Sequence, residues 1–209
     1  MSRWYGIRHK RCIESRDTLK IMRTAYIGMG ANLASWAGTP EATLTAAALR
    51  LESLGRLARR SSLYLTEPVG FVEQPRFVNA VAALETDLAP RELLDGLLAI
   101  EQEFGRDRAA GFVNGPRTLD LDILLFGDLQ VSEPGLEIPH PRLAERAFVL
   151  IPLDEIAPEV VVPGFEKSAA QLLGSQVSKA RLGVPGFVEG SRGGASAVVR
   201  LESDAWVSR

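Results

Sequence analysis

Cysteine is nearly absent: Cys12 is the only one in 209 residues. An intramolecular disulfide is therefore impossible, and the chain suits a reducing compartment, the cytoplasm. Histidine is scarce too, and two histidines with one cysteine cannot build a His/Cys zinc site of the usual kind. No apolar run approaches the roughly eighteen residues of a membrane span, so no membrane partner is expected. The first 22 residues lack the apolar segment of a secretory signal. Glu14 and Asp17 also interrupt what would otherwise pass for an arginine-rich transit sequence.

A strong charge of one sign is missing overall, the formal net charge being −2. The distribution is uneven, however. Residues 1–23 hold seven basic groups against Glu14 and Asp17, a net of +5, which leaves −7 for residues 24–209. An acidic body repels a phosphate backbone, so no nucleic-acid partner is expected. The length suits one domain, which is enough to hold a complete site, and a monomer is the default. Residues 1–22 are expected to be a basic extension, disordered or upstream of a true start at Met22. Residues 23–182 form the folded domain, and residues 183–209, rich in glycine and serine, are expected to be a weakly ordered tail.

What is present centres on residues 114–126. Leu119, Leu121, Ile123, Leu124, Leu125 and Phe126 lie between the turn signals Gly115-Pro116 and Gly127-Asp128, which reads as a buried strand. Side chains alternate on a strand, so Asp120 and Asp122 share one face while Leu121 and Ile123 fill the core behind them. Two like charges on an apolar strand repel and lose solvation, and a divalent cation such as Mg2+ shared with substrate phosphates would offset both costs. A solvated face of a half-exposed strand would also accommodate an isolated Asp-x-Asp. Arg117 on the same strand entrance, with Arg106 and Arg108 upstream, favours phosphoryl chemistry instead.

The remaining pattern supplies a frame for that strand. A strand at 24–29 precedes a helix that Thr39 caps and Pro40 opens, with Leu44, Ala47, Leu51 and Leu54 at helical spacing. A second strand spans 57–66 and a third 77–86, joined by a loop long enough to act as a lid. Phe77, Asn79, Val81 and Ala83 share one face of the third strand. Asn79 either bonds a neighbouring loop or reads the edge of a planar heterocycle stacked on Phe77. Pro90 opens a second helix carrying Leu93, Leu97, Ile100 and Phe104, with Glu101 bordering this apolar stripe. Further on, His140 stands between Pro139 and Pro141, ahead of Arg146 and Phe148. The order β-α-β-β-α-β implies an α+β fold, a ferredoxin-like core with a mainly antiparallel sheet and helices packed on it. Its simplest form places both helices on one face and leaves the other open for a ligand.

Gly115-Pro116-Arg117-Thr118-Leu119-Asp120-Leu121-Asp122-Ile123-Leu124 resembles the signature of the 6-hydroxymethyl-7,8-dihydropterin pyrophosphokinase family of folate biosynthesis. Residues 26–33, 66–70, 74–80 and 138–141 agree with it in order and spacing, so the resemblance covers about residues 24–173. It implies transfer of pyrophosphate from ATP to the pterin hydroxymethyl group, with release of AMP. By the same resemblance, Asp120 and Asp122 bind two Mg2+ ions, and Arg106, Arg108 and Arg117 complete the catalytic set. Phe77 and Phe148 hold the pterin ring, whose edge meets Asn79 and the loop containing Thr66 and Val69. Glu101, Arg108, Arg117, Ile123, His140 and Arg146 match ATP-contacting positions. Asn114, Ala109, Gly135 and Leu98 depart from residues that some members carry near the substrates. Another Mg2+-dependent phosphotransferase, or an inactive ferredoxin-like binding module, remains the alternative reading.

Overall fold

Strand β1 (Arg23–Ala31) runs through the middle of the molecule, burying Ala25, Ile27 and Met29 on one side. Helix α1 (Pro40–Leu51) begins where the Thr39 hydroxyl accepts the Ala42 N–H at 3.4 Å, and it lays Leu44, Ala47, Ala48 and Leu51 on that buried side. The expected strand 57–66 is two strands, β2 (Arg56–Arg60) and β3 (Leu63–Thr66). Serine side chains cause the interruption: Ser61 Oγ accepts the Val81 N–H at 2.9 Å, and Ser62 donates its N–H and its hydroxyl to Glu155, each at 2.7 Å. Both strands pair with β4 (Phe77–Thr86), which precedes α2 (Pro90–Glu103) and then β5 (Asp120–Phe126). The structure is a computed structural model that describes residues 21–107, 114–181, 198–202 and 206.

The sheet order β3-β4-β1-β5, antiparallel throughout, is the ferredoxin-like arrangement expected from the element order. Leu93, Leu97, Ile100 and Phe104 of the second helical segment join α1 and the inward side of the sheet in the larger core. The opposite face is not simply open, as the sequence suggested. After β5 the chain forms a hairpin, β6 (Val131–Glu133) and β7 (Leu136–Ile138), with a cis Ile138–Pro139 bond at its end. It continues into α3 (Ala147–Ile156), the short hairpin β8 (Val161–Val162) and β9 (Lys167–Ser168), and α4 (Ala169–Arg181). Leu150, Leu153 and Leu172 cover Val81, Ala83, Leu124 and Leu125. Half of that face is thus a second core, and the end carrying Phe77, Asn79, Asp120 and Asp122 borders a cavity.

Of the expected tail, residues 198–202 and 206 are among the described residues. Within it, β10 (Val198–Leu201) pairs antiparallel with β3, and Trp206 is buried with only 4% of its surface exposed. The free edge of β3 offers unpaired backbone groups, and a passing chain segment satisfies them. Residues 1–20, which include most of the basic extension, and 182–197 of the tail lie outside the described residues.

Candidate active site

Three neighbouring strands bring the two chemistries together. Gly30 of β1 sits between Asn79 of β4 and Asp120 of β5, and Gly28 sits between Val81 and Asp122. Both glycines face the cavity, where a side chain would intrude: a Cβ on Gly30 would stand 3.1 Å from Asn79 Oδ1, and one on Gly28 3.2 Å from Leu124. The resulting cavity encloses about 280 Å³. Thr66, Val69, Phe77, Asn79 and Phe148 line one part of it, and Arg106, Arg117, Asp120, Asp122, His140 and Arg146 line the rest.

At the aromatic part, Asn79 is buried and its Nδ2 donates to Thr66 Oγ1 at 2.7 Å. That bond fixes the amide with Oδ1 on the side of Gly30, where it can accept from a ligand. The sequence left open whether this amide was structural or ligand-facing, and the geometry allows both. The Arg117 guanidinium lies 5.1 Å from the Phe77 ring centroid, and that of Arg146 lies 5.6 Å from the Phe148 ring, so each aromatic backs onto a cation.

At the charged part, the two aspartates differ. Asp120 accepts from Arg117 Nη1 at 2.9 Å and from Arg106 Nη1, so two guanidinium groups hold it. Among the described residues Asp122 has no such ion pair. Burial first, and the neighbouring Asp120 charge second, push its carboxyl up to about 6. Arg146 and Arg106 act in the opposite sense but do not outweigh these two effects, so Asp122 is the carboxylate whose charge is less well compensated. No cluster of three or more His, Cys, Asp or Glu exists among the described residues, so this pair is what the cavity offers a divalent ion.

His140 is oriented by its neighbours. Its backbone N–H donates to Leu124 O at 2.9 Å, tying it to β5, and its Nδ1 accepts the Arg142 N–H at 3.1 Å. The remaining ring nitrogen, Nε2, then carries the proton. Burial, followed by Arg146 and Arg142, lowers its pKa to about 4, so the ring is a neutral donor at physiological pH.

Two sequence-derived residues lie elsewhere. Glu101, expected to touch ATP, is only 1% exposed and sits beneath the site. Its Oε1 accepts the Leu121 N–H at 2.8 Å and pairs with Arg106 Nη1 at 3.5 Å, anchoring β5 and one arginine. Ile123 points into the core behind the aspartates, as strand alternation requires. Arg108 lies outside the described residues.

Other residues were not singled out from sequence. Asn32, buried at the end of β1, accepts the Arg117 N–H at 2.7 Å and donates to Gln74 Oε1 and Pro75 O at 3.0 Å each. Gln74 Nε2 donates in turn to Phe71 O at 2.6 Å and Asn114 O at 2.8 Å, joining the loops that flank the cavity. A buried amide directly after an apolar strand was the available signal. Arg142 also lines the cavity, adding positive charge.

Comparison with known proteins gives the family. The profile of the 7,8-dihydro-6-hydroxymethylpterin-pyrophosphokinase (HPPK) family matches residues 26–158. The 2-amino-4-hydroxy-6-hydroxymethyldihydropteridine pyrophosphokinase of Pseudomonas aeruginosa is 48% identical over 145 residues, covering 68% of this chain and 86% of that protein. The Bacillus subtilis protein of the same name is 40% identical over 166 residues, 78% of this chain and 95% of its own. Among solved structures, a triple mutant of Plasmodium falciparum HPPK-DHPS superposes with a TM-score of 0.64 at 16% identity, over 81% of this chain, and supports the fold. This chain spans 47% of that larger protein. With the family profile matching most of its folded part and close relatives covered nearly end to end, the chain belongs to the 7,8-dihydro-6-hydroxymethylpterin-pyrophosphokinase family.

Proposed function

We propose that the protein transfers the terminal diphosphoryl group of ATP to the hydroxymethyl oxygen of 6-hydroxymethyl-7,8-dihydropterin, a step of folate biosynthesis. The observation that carries this reading is the junction of two environments in one cavity, an aromatic and amide part against a carboxylate and arginine part. The pterin ring fits against Phe77 and Phe148, with Asn79, Thr66 and the loop at Val69 meeting its polar edge. The ATP phosphates fit against Arg106, Arg117 and Arg146, with His140 donating through Nε2. Arg108 belongs to the same set by family position.

Asp120 and Asp122 would hold Mg2+, because hard cations bind through one or two carboxylates plus substrate phosphates, and burial and the Asp120 charge leave Asp122 destabilised as an anion despite Arg146 and Arg106 nearby. When bound, Mg2+ supplies charge neutralisation on the phosphate oxygens and lowers the barrier to attack at phosphorus. The pterin oxygen forms a bond to the β-phosphorus while the bond from that phosphorus to the α,β-bridging oxygen breaks. AMP leaves with the bridging oxygen, and the hydroxyl proton passes to solvent. The arginines stabilise the charge that accumulates on the leaving oxygen, and Gln74 ties the loop at Phe71 to Asn114 beside the cavity. Glu101 and Ile123, which match ATP-contacting family positions, also help hold β5 in place, Glu101 through the Leu121 N–H and Ile123 from within the core. The catalytic unit is residues 23–182 completed by β10, and because residues of one chain line the cavity, a monomer is the simplest active form.

Incubation with ATP labelled at the γ-phosphorus tests the reading. The label is expected on the pterin product, with unlabelled AMP. Label appearing as free phosphate or in ADP-coupled products would point to another phosphotransferase or a hydrolase.

A further inference from the structure

β10 and Trp206 lie beyond the residues that the family profile matches, yet β10 joins the sheet at β3 and Trp206 is buried in the larger core. Two cross-strand rows make the connection. Val198 pairs with Thr66, which pairs with Phe77. Arg200 pairs with Tyr64, which pairs with Asn79, which pairs with Gly30, which pairs with Asp120. The rows thus run from the C-terminal segment to the Thr66–Asn79 hydrogen bond and on to Asp120. We propose that the C-terminal segment is a positioning strap that holds β3, and with it Thr66 and Asn79, in the geometry that receives the planar heterocycle. This inference rests on the pterin assignment above.

The strap is fastened at three further points. Trp206 Nε1 donates to Ser61 O at 2.6 Å, just where β2 breaks from β3. The Arg60 guanidinium lies 4.7 Å from the Trp206 ring centroid. Arg200 pairs at 3.5 Å with Glu155, the α3 carboxylate that also accepts from Ser62 and, at 2.9 Å, from the Tyr64 hydroxyl. Without the strap, β3 is a four-residue edge strand followed by a loop that bears Val69 and Phe71 exposed. Such an edge opens more readily than the strands inside the sheet. Opening lowers the fraction of molecules competent to bind, and apparent affinity falls by the same factor.

The test uses the full chain carrying Trp206→Ala or Arg200→Ala, with Leu51→Ala in α1, outside β3 and β10, as a destabilised control. Amide hydrogen exchange and the Kd values for the pterin and for a non-hydrolysable ATP analogue are measured on each. Trp206→Ala is expected to speed exchange at residues 64–66 selectively and to raise the pterin Kd about tenfold, leaving the ATP-analogue Kd within about twofold. Leu51→Ala is expected to speed exchange broadly without separating the two affinities. Unchanged exchange at 64–66, broad exchange like that of the control, or local opening with an unchanged pterin Kd would each overturn the proposal. If the wild type binds no pterin, the functional reading fails, and selective opening at 64–66 still decides whether the strap positions β3.

Discussion

Glu101 offers a sharp test, because its family position suggests nucleotide contact while its surroundings suggest an anchor. Replacing it with alanine leaves the Leu121 N–H buried without its acceptor, which costs about 1–3 kcal/mol. It also removes one partner from Arg106. That guanidinium keeps Leu119 O at 2.8 Å and Asp120, and its contact with Glu101 is the long one at 3.5 Å. The second loss should therefore fall below the roughly 3–5 kcal/mol of a fully broken buried pair. Together they give a destabilisation of roughly 3 kcal/mol, a fall in Tm of about 10 °C for a domain of this size. Glu101→Gln retains a carbonyl acceptor for Leu121 and should cost about half as much. Urea denaturation followed by circular dichroism measures both. An alanine variant within about 1 kcal/mol of wild type, with a raised Kd for nucleotide, would refute the anchor and restore direct contact.

His140 titrates in the fold near 4 and near 6.5 when unfolded, so as pH falls through this window the unfolded chain binds a proton that the folded ring refuses. His140→Gln should therefore gain stability relative to wild type at pH 4.5 compared with pH 7.5, by about 1–2 kcal/mol after solvent screening; a pH-independent difference in chemical denaturation would contradict this. For Asp122 the sign is opposite in effect on ligands. A metal-binding carboxylate must be ionised, so the Mg2+ concentration needed for half-maximal activity should rise by up to tenfold per unit below about pH 6, and a flat requirement from pH 5 to 7.5 would count against the assignment. Gly30→Ala places a methyl 3.1 Å from Asn79 Oδ1 and should weaken pterin binding at least tenfold while sparing an ATP analogue. Calorimetry with each ligand separates these outcomes.

Much of the central sheet was legible from residue order. Alternation put Asp120 and Asp122 on one face of their strand and Phe77 with Asn79 on one face of another, and the register through Gly30, which alternation does not fix, brings the two faces together. The β-α-β-β-α-β order gave the correct neighbours because antiparallel strands and short connections leave few alternatives. What sequence did not reveal depended on contacts between distant segments. The break between β2 and β3 requires Glu155, which lies 93 residues after Ser62. The burial of Glu101 depends on an edge of β5 that no local pattern specifies. The half-covered second face comes from α3 and α4, whose apolar sides read equally well as a separate layer. The C-terminal strand was hidden by composition: a stretch with glycine and serine looks disordered until a free sheet edge is present to receive Val198–Leu201.

The most direct test of the central claim is the rate of AMP release from ATP and Mg2+, with and without 6-hydroxymethyl-7,8-dihydropterin, for wild type and Asp122→Asn. Loss of a metal-binding carboxylate from the transition state should reduce turnover by a factor of about 1000 or more. The buried site itself should tolerate the amide, because it removes a charge that burial and Asp120 disfavour. Pterin-dependent AMP release by wild type, abolished in a folded Asp122→Asn variant, is the predicted result. Pterin-independent nucleotide turnover, or equal AMP release by the variant, would contradict the account.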